Sequence, residues 1–320
     1  MVQTFAFAFL GGTVSCWAAP LAYVTNQKAD NVTVIDTEKA EVVKVIGVGK
    51  DPAGVAVNGA GDRIVVTNPG NHELTIIDGG QNEVHSRLSV GDGPLGVAIS
   101  PKGDRAYVAD FYGHFVSVIN LDDRTILKRI PVGHYPSGVI VNSDASAVFV
   151  AEREDNTVSK ISALTLTTER TGGVGKHPFG LLLDETRRRL YAANVEGNDV
   201  SVLDMDSLQE IRRIRVGERP YALAALDQGR RVLVTNQYDS TVSIIDGDAL
   251  AVIGTIPVGD YPEGIASHPD GRHAWVANWL DNTVSEIDIA ALRVTRTVGA
   301  ANGTRAFGSF IANPVRAEER

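Results

Sequence analysis

A short string of residues returns seven times along the chain at a constant interval. The string is Tyr23-Val24-Thr25-Asn26 at its first appearance, and the interval is 42 residues. Its first residue is always aromatic or aliphatic, and the seven copies begin at Tyr23, Val65, Tyr107, Phe149, Tyr191, Leu233 and Trp275. Seven such units run from residue 23 to residue 316 and leave a charged tail at residues 317–320. A fixed period of this length predicts a repeat architecture rather than two unrelated domains.

Each unit contains four short segments that are rich in β-branched residues and bounded by turn residues. In the first unit they are residues 23–26, 32–35, 42–46 and 54–57. The last of them begins at the Gly of a Pro-x-Gly sequence at residues 52–54. Short segments of this composition are typical of strands. Residues 207–214 and 248–253 look helical in isolation, but their counterparts in the other units are strands, so we predict strands there as well.

Four strands per unit and a period near 40 residues are typical of a β-propeller blade. Through these repeated strings the sequence resembles the YVTN-repeat β-propeller family over residues 20–316. The resemblance implies an all-β, seven-bladed β-propeller of four-stranded blades. In the first unit it implies that residues 54–57, 23–26, 32–35 and 42–46 are strands A, B, C and D, counted from the central channel outward.

The chain enters this pattern on a B strand, so the A strand of that blade has to come from the other terminus. Residues 308–311 fit that role, and we expect residues 307–311 to pair with residues 22–26. The N- and C-terminal strands would then share one blade, and the closed ring would have no open edge. The last Pro-x-Gly sequence is replaced by residues 301–307, which lack Pro and align with two extra residues.

The repeated side chains are interpreted as structural. A bulky residue opens each string and should pack between blades, while the third position is always small. Asn26 can hydrogen-bond the turn that follows its strand. A hydroxyl occupies the middle of all seven C strands, beginning with Thr33. A nucleophile would be needed once, so a hydroxyl repeated seven times indicates a hydrogen-bonding device.

Residues 1–19 differ in composition from the rest. An apolar run at residues 5–10 is followed by small residues and by Ala18-Ala19, which predicts a signal peptide and a periplasmic or secreted protein. The run is too short and too interrupted by glycine to span a membrane. Cys16 is the only cysteine, so the chain after cleavage would have no disulfide and no thiol ligand or nucleophile.

Charge and loop composition narrow the class of partner. The formal net charge is −9, which argues against nucleic acid. In a propeller the B–C and D–A loops emerge on one face, and here they carry fourteen acidic against six basic residues. The A strands after each Pro-x-Gly contain no titratable residue, so any acid–base chemistry is expected in the loops.

The same loops carry most of the candidate binding residues. The units that begin at Tyr107 and Phe149 depart most from the repeat, because Asp110 and Glu152 replace the recurring Asn. A unit that has lost its structural pattern is a candidate for a site. The predicted binding residues are Phe111, Tyr112, His114, His134, Tyr135, Arg153, His177, Tyr261 and Trp279, with Tyr238 on the same face.

Two classes of function remain open. The first is an exported, non-enzymatic binding or scaffold protein, expected as a monomer, with a protein, peptide or glycan on its acidic, aromatic loop face and without a cofactor. The second is a redox- or quinoprotein-associated subunit or metal-binding enzyme, because the family is similar to the propeller parts of quinohaemoprotein amine dehydrogenase and nitrous oxide reductase. A lactonase-type hydrolase is a third alternative by analogy of fold. His114, His134 and His177 are weak candidates for metal ligands, since they lie on three separate loops.

Overall fold

The computed structural model describes residues 19–312 and contains 28 strands and one short 3-10 helix, Pro69–Asn71. The proposed signal peptide, apart from Ala19, and the charged tail lie outside these residues, so export stays a prediction. No helix of the described part is of the length and apolar character needed to cross a membrane.

The strands form seven four-stranded antiparallel sheets, each a blade with strands in the order A, B, C, D. Blade 1 contains β28 (Ile311–Ala312), β1 (Leu21–Asn26), β2 (Asn31–Asp36) and β3 (Glu41–Gly47). Blade 2 contains β4 (Val55–Val57), β5 (Arg63–Asn68), β6 (Glu73–Asp78) and β7 (Glu83–Ser89). Blade 3 contains β8 (Pro94–Ile99), β9 (Arg105–Asp110), β10 (Phe115–Asn120) and β11 (Thr125–Pro131). Blade 4 contains β12 (Pro136–Val141), β13 (Ala147–Glu152), β14 (Thr157–Ser162) and β15 (Thr167–Gly173).

The last three blades follow the same order. Blade 5 contains β16 (Pro178–Asp184), β17 (Arg189–Asn194), β18 (Asp199–Asp204) and β19 (Glu210–Arg215). Blade 6 contains β20 (Pro220–Leu226), β21 (Arg231–Asn236), β22 (Thr241–Asp246) and β23 (Ala251–Pro257). Blade 7 contains β24 (Pro262–Ser267), β25 (His273–Asn278), β26 (Thr283–Asp288) and β27 (Arg293–Gly299). The predicted seven-bladed propeller is confirmed, and β19 and β23 are strands despite their helical composition.

The bulky residues that open the repeated string pack between blades, as expected. Tyr23 lies in one apolar cluster with Val55 of blade 2 and Trp275 of blade 7, and all three are fully buried. Burial of an apolar side chain of this size stabilises the fold by about 2–3 kcal/mol. The packing of neighbouring blades therefore depends on the residue that recurs every 42 positions.

The recurring Asn and hydroxyl residues form a repeated hydrogen-bond network. Asn236 Nδ2 donates to Ser243 Oγ at 2.9 Å, and the Oδ1 atom of Asn236 accepts from the backbone N–H of Gly217 at 3.2 Å. One side chain thus connects strand C to the D–A loop of its own blade. The same Asn-to-hydroxyl bond occurs at Asn68–Thr75, Asn194–Ser201 and Asn278–Ser285. The hydroxyls have the structural role predicted for them.

The termini close the ring with the expected pairing of Ala22 and Ile311, but the pairing does not continue to residue 26 as expected. Ala22 and Leu21 pair with Ile311 and Ala312, and Thr304 bridges Asn26. In blade 7 Ser267 pairs with Ala274, and the repeat counterparts of these residues are Ser309 and Ala22. Ala22 pairs instead with Ile311, two residues later.

The two extra residues therefore do not lie in the loop 301–307, and the expected pairing of residues 307–311 with residues 22–26 is wrong in its centre. Arg305 N donates to Thr25 O, as Ala53 N donates to Thr67 O, so the loop keeps the repeat register. Beyond it the chain leaves blade 1, and the carbonyls of Phe307 and Ser309 accept from the N–H groups of Val55 and Val57 in blade 2. The displaced segment thus supplies hydrogen-bond acceptors to the backbone N–H groups of the inner strand of blade 2. Phe310 is fully buried in the adjoining apolar cluster.

We predict that Phe310→Ala lowers the free energy of unfolding by about 3–5 kcal/mol, because a fully buried ring of the closing segment leaves a cavity. The matched control is Leu164→Ala, since Leu164 is 89% exposed and its loss should cost less than about 0.5 kcal/mol. Urea unfolding measures both. A chain that ends at Gly303 should lose more stability than either, relative to one that ends at Ala312. Equal midpoints for these two truncations would contradict closure by the terminal segment.

Candidate functional site

The B–C and D–A loops adjoin one another on one face of the ring, which we name the loop face. Within blade 4, the N–H groups of Arg153 and Glu154 donate to the carbonyls of Tyr135 and His134. Blade 6 repeats this contact, with the N–H of Gln237 donating to Arg219 O. Because each pair of loops is held by backbone bonds, the side chains of the two loops are presented together.

The first aromatic group on the loop face spans blades 3 and 4. We name Phe111, Tyr112 and Tyr135 the first aromatic arc. The Phe111 ring lies 5.3 Å from that of Tyr112 and 5.0 Å from that of Tyr135. Tyr112 is 64% exposed, whereas Phe111 and Tyr135 are half-buried. The structure thus brings together three of the residues that the sequence predicted for binding.

Two histidines extend this arc. The His114 ring lies 5.1 Å from the rings of both His134 and Tyr135, and its Nδ1 atom accepts from the Tyr135 N–H at 3.1 Å. His134 Nδ1 lies 3.0 Å from Asp155 Oδ1. Hydrogen bonds from the backbone and side chain of His134 hold the pKa of the Asp155 carboxyl below its usual range. His134 therefore faces an ionised carboxylate at the edge of the arc.

His177 and Arg153 form a separate polar group. Arg153 Nη2 lies 3.1 Å from His177 Nδ1, and the same Nδ1 atom lies 3.0 Å from Glu196 Oε1. Among residues 19–312, His114, His134 and His177 do not form a set of three groups close enough to hold one metal ion. The structure brings His114 and His134 into contact and leaves His177 with Arg153, so the three-histidine metal hypothesis stays a prediction.

The second aromatic group, which we name the second aromatic arc, consists of Tyr238, Tyr261 and Trp279 on blades 6 and 7. The Tyr261 ring lies 5.8 Å from Tyr238 and 5.4 Å from Trp279. Cations of the chain itself cover two of these rings, with Lys28 Nζ 4.8 Å from Trp279 and the Arg219 guanidinium 4.8 Å from Tyr238. Within the described residues, no such cation–ring contact involves the first aromatic arc.

Six of the seven D–A loops hold a left-handed backbone position two residues before the x of Pro-x-Gly or its counterpart. Tyr135, His177 and Tyr261 have φ of 53°, 54° and 57°, in the left-handed region, and Gly303 has the counterpart position in the last loop with φ of 80°. A non-glycine residue there costs about 1–2 kcal/mol relative to glycine. Three of the candidate binding residues thus lie where glycine would be less strained.

The sequence interpretation missed a buried polar group at the centre of the loop face. Strand A begins at the Pro in five of the seven blades, blades 3 to 7, so in these blades the x residue is the second residue of the strand and lies at the channel mouth. The seven residues at this position are Ala53, Leu95, Ser137, Phe179, Tyr221, Glu263 and Arg305. The expectation that these strands carry no titratable residue is wrong, because β20 includes Tyr221 and β24 includes Glu263. Comparison of the x positions between units would have found them.

Three of these residues form a buried ion pair with a phenol beside it. Arg305 Nε donates to Glu263 Oε2 at 2.5 Å, and Arg305 Nη2 donates to Tyr221 Oη at 2.8 Å. Gln237 Nε2 donates to the other Glu263 oxygen at 3.1 Å. Burial raises the pKa of the Glu263 carboxyl, and Arg305 and Gln237 oppose that rise. Burial likewise raises the pKa of the Tyr221 hydroxyl, so Tyr221 stays neutral.

Aromatic rings complete a plug at this end of the channel. Phe179 stacks on Tyr221 at 4.1 Å, and Phe307 lies 4.7 Å from Phe179. Beyond the plug, the channel is a cavity of about 510 Å³ lined by the small and aliphatic residues of the A strands. It reaches the opposite face, where its rim includes Asn58, Ser143 and Glu185. The cavity is therefore separated from the aromatic arcs.

Comparison with protein families supports the fold and its repeat. The seven-bladed architecture and its repeated strings fit a β-propeller of the YVTN-repeat type. The family model described as YNCE-like beta-propeller matches residues 195–310, and this match with the seven blades fits a YVTN-repeat-type family. The resemblance inferred from the repeated strings is thereby confirmed. A search of curated proteins found no match.

Several solved structures are similar to the chain. Hydrazine synthase of Kuenenia stuttgartiensis has a TM-score of 0.74 at 18% identity, over 89% of this chain and 99% of that one. A protein of Desulfotomaculum acetoxidans DSM 771, described as functionally unknown, has a TM-score of 0.82 at 15% identity, over 92% and 100%. Dihydro-heme d1 dehydrogenase NirN in complex with DHE has a TM-score of 0.69 at 16% identity, over 88% and 64%. Likeness at these identities shows the fold alone.

We predict that Arg305→Met lowers the free energy of unfolding by about 3–5 kcal/mol at neutral pH, because it leaves the buried Glu263 charge unpaired. Without Arg305 the pKa of Glu263 rises further above its ordinary value of 4.5. A carboxyl whose pKa is raised by folding destabilises the fold as the pH rises from its ordinary pKa to its raised pKa. The loss of unfolding free energy in Arg305→Met should therefore be larger at pH 8 than at pH 5. Urea unfolding at both pH values measures it.

The matched variant is the double change Glu263→Gln/Arg305→Met, which removes both charges. It should recover most of the stability at pH 8 and lack the added pH dependence. If the double variant is as unstable as Arg305→Met at both pH values, the ion pair is not the cause.

Proposed function

We propose that the chain is a non-enzymatic binding protein that holds a partner on its loop face, with the first aromatic arc as the principal contact. The observation that carries this proposal is the contact of three rings on two different blades, of which Tyr112 is exposed and Phe111 and Tyr135 are half-buried. Aromatic rings in contact that remain partly open to water form an apolar patch, and such patches are typical of interaction sites. Tyr residues also dominate binding energy at many interfaces.

Backbone strain supports the same surface. Tyr135 occupies a left-handed position in which the counterpart residue of the last D–A loop is Gly303. The ring therefore remains in place at a cost in stability of about 1 kcal/mol. Asp51 and Arg219 occupy the same left-handed position in other D–A loops, so the turn belongs to the repeat, and it is the choice of an aromatic ring at this position that we assign to binding.

Charge indicates which partner the arc suits. Glu154 and Asp155 lie on the B–C loop of blade 4 and are exposed beside the arc. The rings of the second aromatic arc already face Lys28 and Arg219, whereas the rings of the first arc have no such partner within residues 19–312. Open ring faces next to carboxylates favour a Lys or Arg side chain. We therefore propose a protein or peptide partner that presents basic residues. A glycan is the alternative partner that the binding experiment has to distinguish from it.

We predict that Tyr135→Gly weakens binding by about 30-fold, equivalent to about 2 kcal/mol, because it removes an anchor ring. Glycine relieves the strain at this position, so the free energy of unfolding should remain within about 1 kcal/mol of wild type. The measurement is fluorescence binding to Lys- and Arg-rich peptides from a peptide array, with acidic peptides and a glycan array in parallel.

Two controls accompany this variant. Tyr112→Ala removes the exposed neighbour and should weaken the same peptides, while Leu164→Ala lies away from the loop face and should not. Selection of acidic peptides, or equal affinity of wild type and Tyr135→Gly for basic ones, would remove the basis for this proposal. Glycan binding lost in Tyr135→Gly would keep the site and replace the partner.

A redox-associated propeller is the second candidate, and the contact of His114 with His134 favours it. One of the similar structures, dihydro-heme d1 dehydrogenase NirN, has a name that denotes redox chemistry, although that likeness concerns the fold alone. This alternative predicts stoichiometric copper, iron or quinone in the purified protein, lost when His114, His134 and His177 are replaced together. Elemental analysis and absorption spectra of both forms measure it, and an unchanged content in the triple variant would exclude this site.

A further inference from the structure

A group of metal-ligand side chains lies on the face opposite the loop face. It is formed by His268 and Asp270 in the A–B turn between β24 and β25 of blade 7 and by His273, the first residue of β25. Each residue offers one ligand atom, and these atoms all lie within 4.8 Å of one another. Within residues 19–312 this is the only set of three His, Cys, Asp or Glu residues that meets this condition.

The carboxylate of Asp270 lies between the two imidazoles. Its Oδ2 atom is 2.9 Å from His268 Nδ1 and 2.6 Å from His273 Nδ1. Its Oδ1 atom accepts from the backbone N–H groups of Arg272 and His273 at 2.8 and 3.0 Å, which fixes the orientation of the carboxylate. The three side chains are 11%, 38% and 23% exposed in sequence order, so the group is partly enclosed and reachable from solvent.

Thr37 determines which nitrogen of His268 carries the proton. The Thr37 hydroxyl donates its single hydrogen to Pro20 O at 2.7 Å, because a carbonyl can only accept. His268 Nε2 lies 3.0 Å from the same hydroxyl oxygen and must therefore donate to it. In neutral His268 the other nitrogen, Nδ1, then has a lone pair, which accepts from the backbone N–H of Asp270 at 3.3 Å and lies 2.9 Å from Asp270 Oδ2.

His268 Nδ1 and Asp270 Oδ2 face each other at 2.9 Å, and His273 Nδ1 lies 2.6 Å from the same carboxylate oxygen. Either a second proton on the His268 imidazole or a metal ion placed among these atoms would interact with the lone pairs of both His268 and Asp270.

We propose that His268, Asp270 and His273 form a binding site for a divalent first-row transition metal, of which Zn²⁺ is the test case. Two imidazoles and one carboxylate suit such metals and leave a coordination position for water. Zn²⁺ lies about 2.0–2.2 Å from nitrogen and oxygen ligands, so neighbouring ligand atoms have to separate by roughly half an ångström from their present distances. Thr37 is the outer partner that orients His268.

Comparison between blades shows that the A–B turns do not need these residues. At the position of His268, Asn58 and Ser100 donate to Asp62 and Asp104 of their own turns. The positions that correspond to His273 are occupied by arginine in four other blades, at Arg63, Arg105, Arg189 and Arg231. The donor set is thus specific to blade 7 and is not part of the repeated fold.

The site adjoins the boundary between the last blade and the closing one. Besides the His268–Thr37 contact, the Arg296 guanidinium of blade 7 donates to the carbonyls of Thr37 and Glu38 at 2.8 and 2.6 Å, and it pairs with Glu286. A metal bound only by the folded chain stabilises it by mass action. Zn²⁺ should therefore raise the unfolding temperature as well as bind.

The experiment uses the full chain purified without a histidine tag, stripped with chelator, and titrated calorimetrically with Zn²⁺. We expect one equivalent to bind wild type, with Asp270→Asn and His273→Ala each weaker by at least about tenfold, since loss of an outer partner alone costs about 10–100-fold. Thr37→Val should fall in that range. His85→Ala, which removes an exposed histidine of β7, and His114→Ala/His134→Ala should bind as wild type does.

Thermal unfolding provides the second measurement. Zn²⁺ should raise the unfolding temperature of wild type and of His85→Ala but not that of Asp270→Asn, and an Asp270→Asn chain that unfolds cooperatively without metal shows that loss of binding is not loss of folding. Absence of binding to wild type at about 0.1 mM Zn²⁺ would overturn the proposal and assign the proton to His268. Binding that persists in both Asp270→Asn and His273→Ala, or that is lost only in His114→Ala/His134→Ala, would overturn it as well.

Discussion

The whole architecture depends on pairing between the two ends of the chain. Blade 1 receives three strands from the N-terminal part and its inner strand, Ile311–Ala312, from the C-terminal part. Without that pairing β1 would be an open edge of blade 1. The displaced residues before β28 strengthen the closure, because the carbonyls of Phe307 and Ser309 bind the N–H groups of blade 2. The last segment of the chain thus joins two blades.

One hydrogen-bond pattern serves both as the scaffold and as the origin of the loop face. Asn at the end of strand B connects the hydroxyl of strand C to the D–A loop, as at Asn236 and Ser243. In blade 4 Glu152 takes this position, and the direction of the bond reverses, because Ser159 donates to the carboxylate at 2.6 Å. Glu152 still accepts from the Gly133 N–H at 2.8 Å, so the loop that carries His134 and Tyr135 is held as in the other blades. The acidic replacement changes the charge of the loop face without loss of its geometry.

The sequence alone predicts the part of this molecule that repeats. The 42-residue period gives the strands, the blade order and the face on which Phe111, Tyr112 and Tyr135 meet, since equivalent positions of neighbouring blades are neighbours in space. It does not give contacts between positions that differ from unit to unit. The period does not predict the Glu263–Arg305 ion pair, because Arg305 lies in a loop that has lost its Pro. The period also does not indicate which of the x residues are in contact.

The donor set of blade 7 was missed for a related reason. His268 and Asp270 lie in an A–B turn, and His273 directly follows it. The predicted binding residues all lie in B–C and D–A loops, which are on the opposite face. Their spacing has no established ligand pattern, and their approach depends on the conformation of that one turn. The position of the two extra residues is likewise a matter of hydrogen bonding to blade 2, which no local pattern in residues 301–312 reveals.

The aromatic plug lies between the loop face and the axial cavity. Phe179, Tyr221 and Phe307 are in contact there, with the Glu263–Arg305 pair beside them. A molecule that enters the cavity from the far side meets the aliphatic walls of the A strands and the ring of Phe307. The loop face and the rim of the cavity are therefore separate surfaces at opposite ends of the ring, and a molecule held on one does not cover the other.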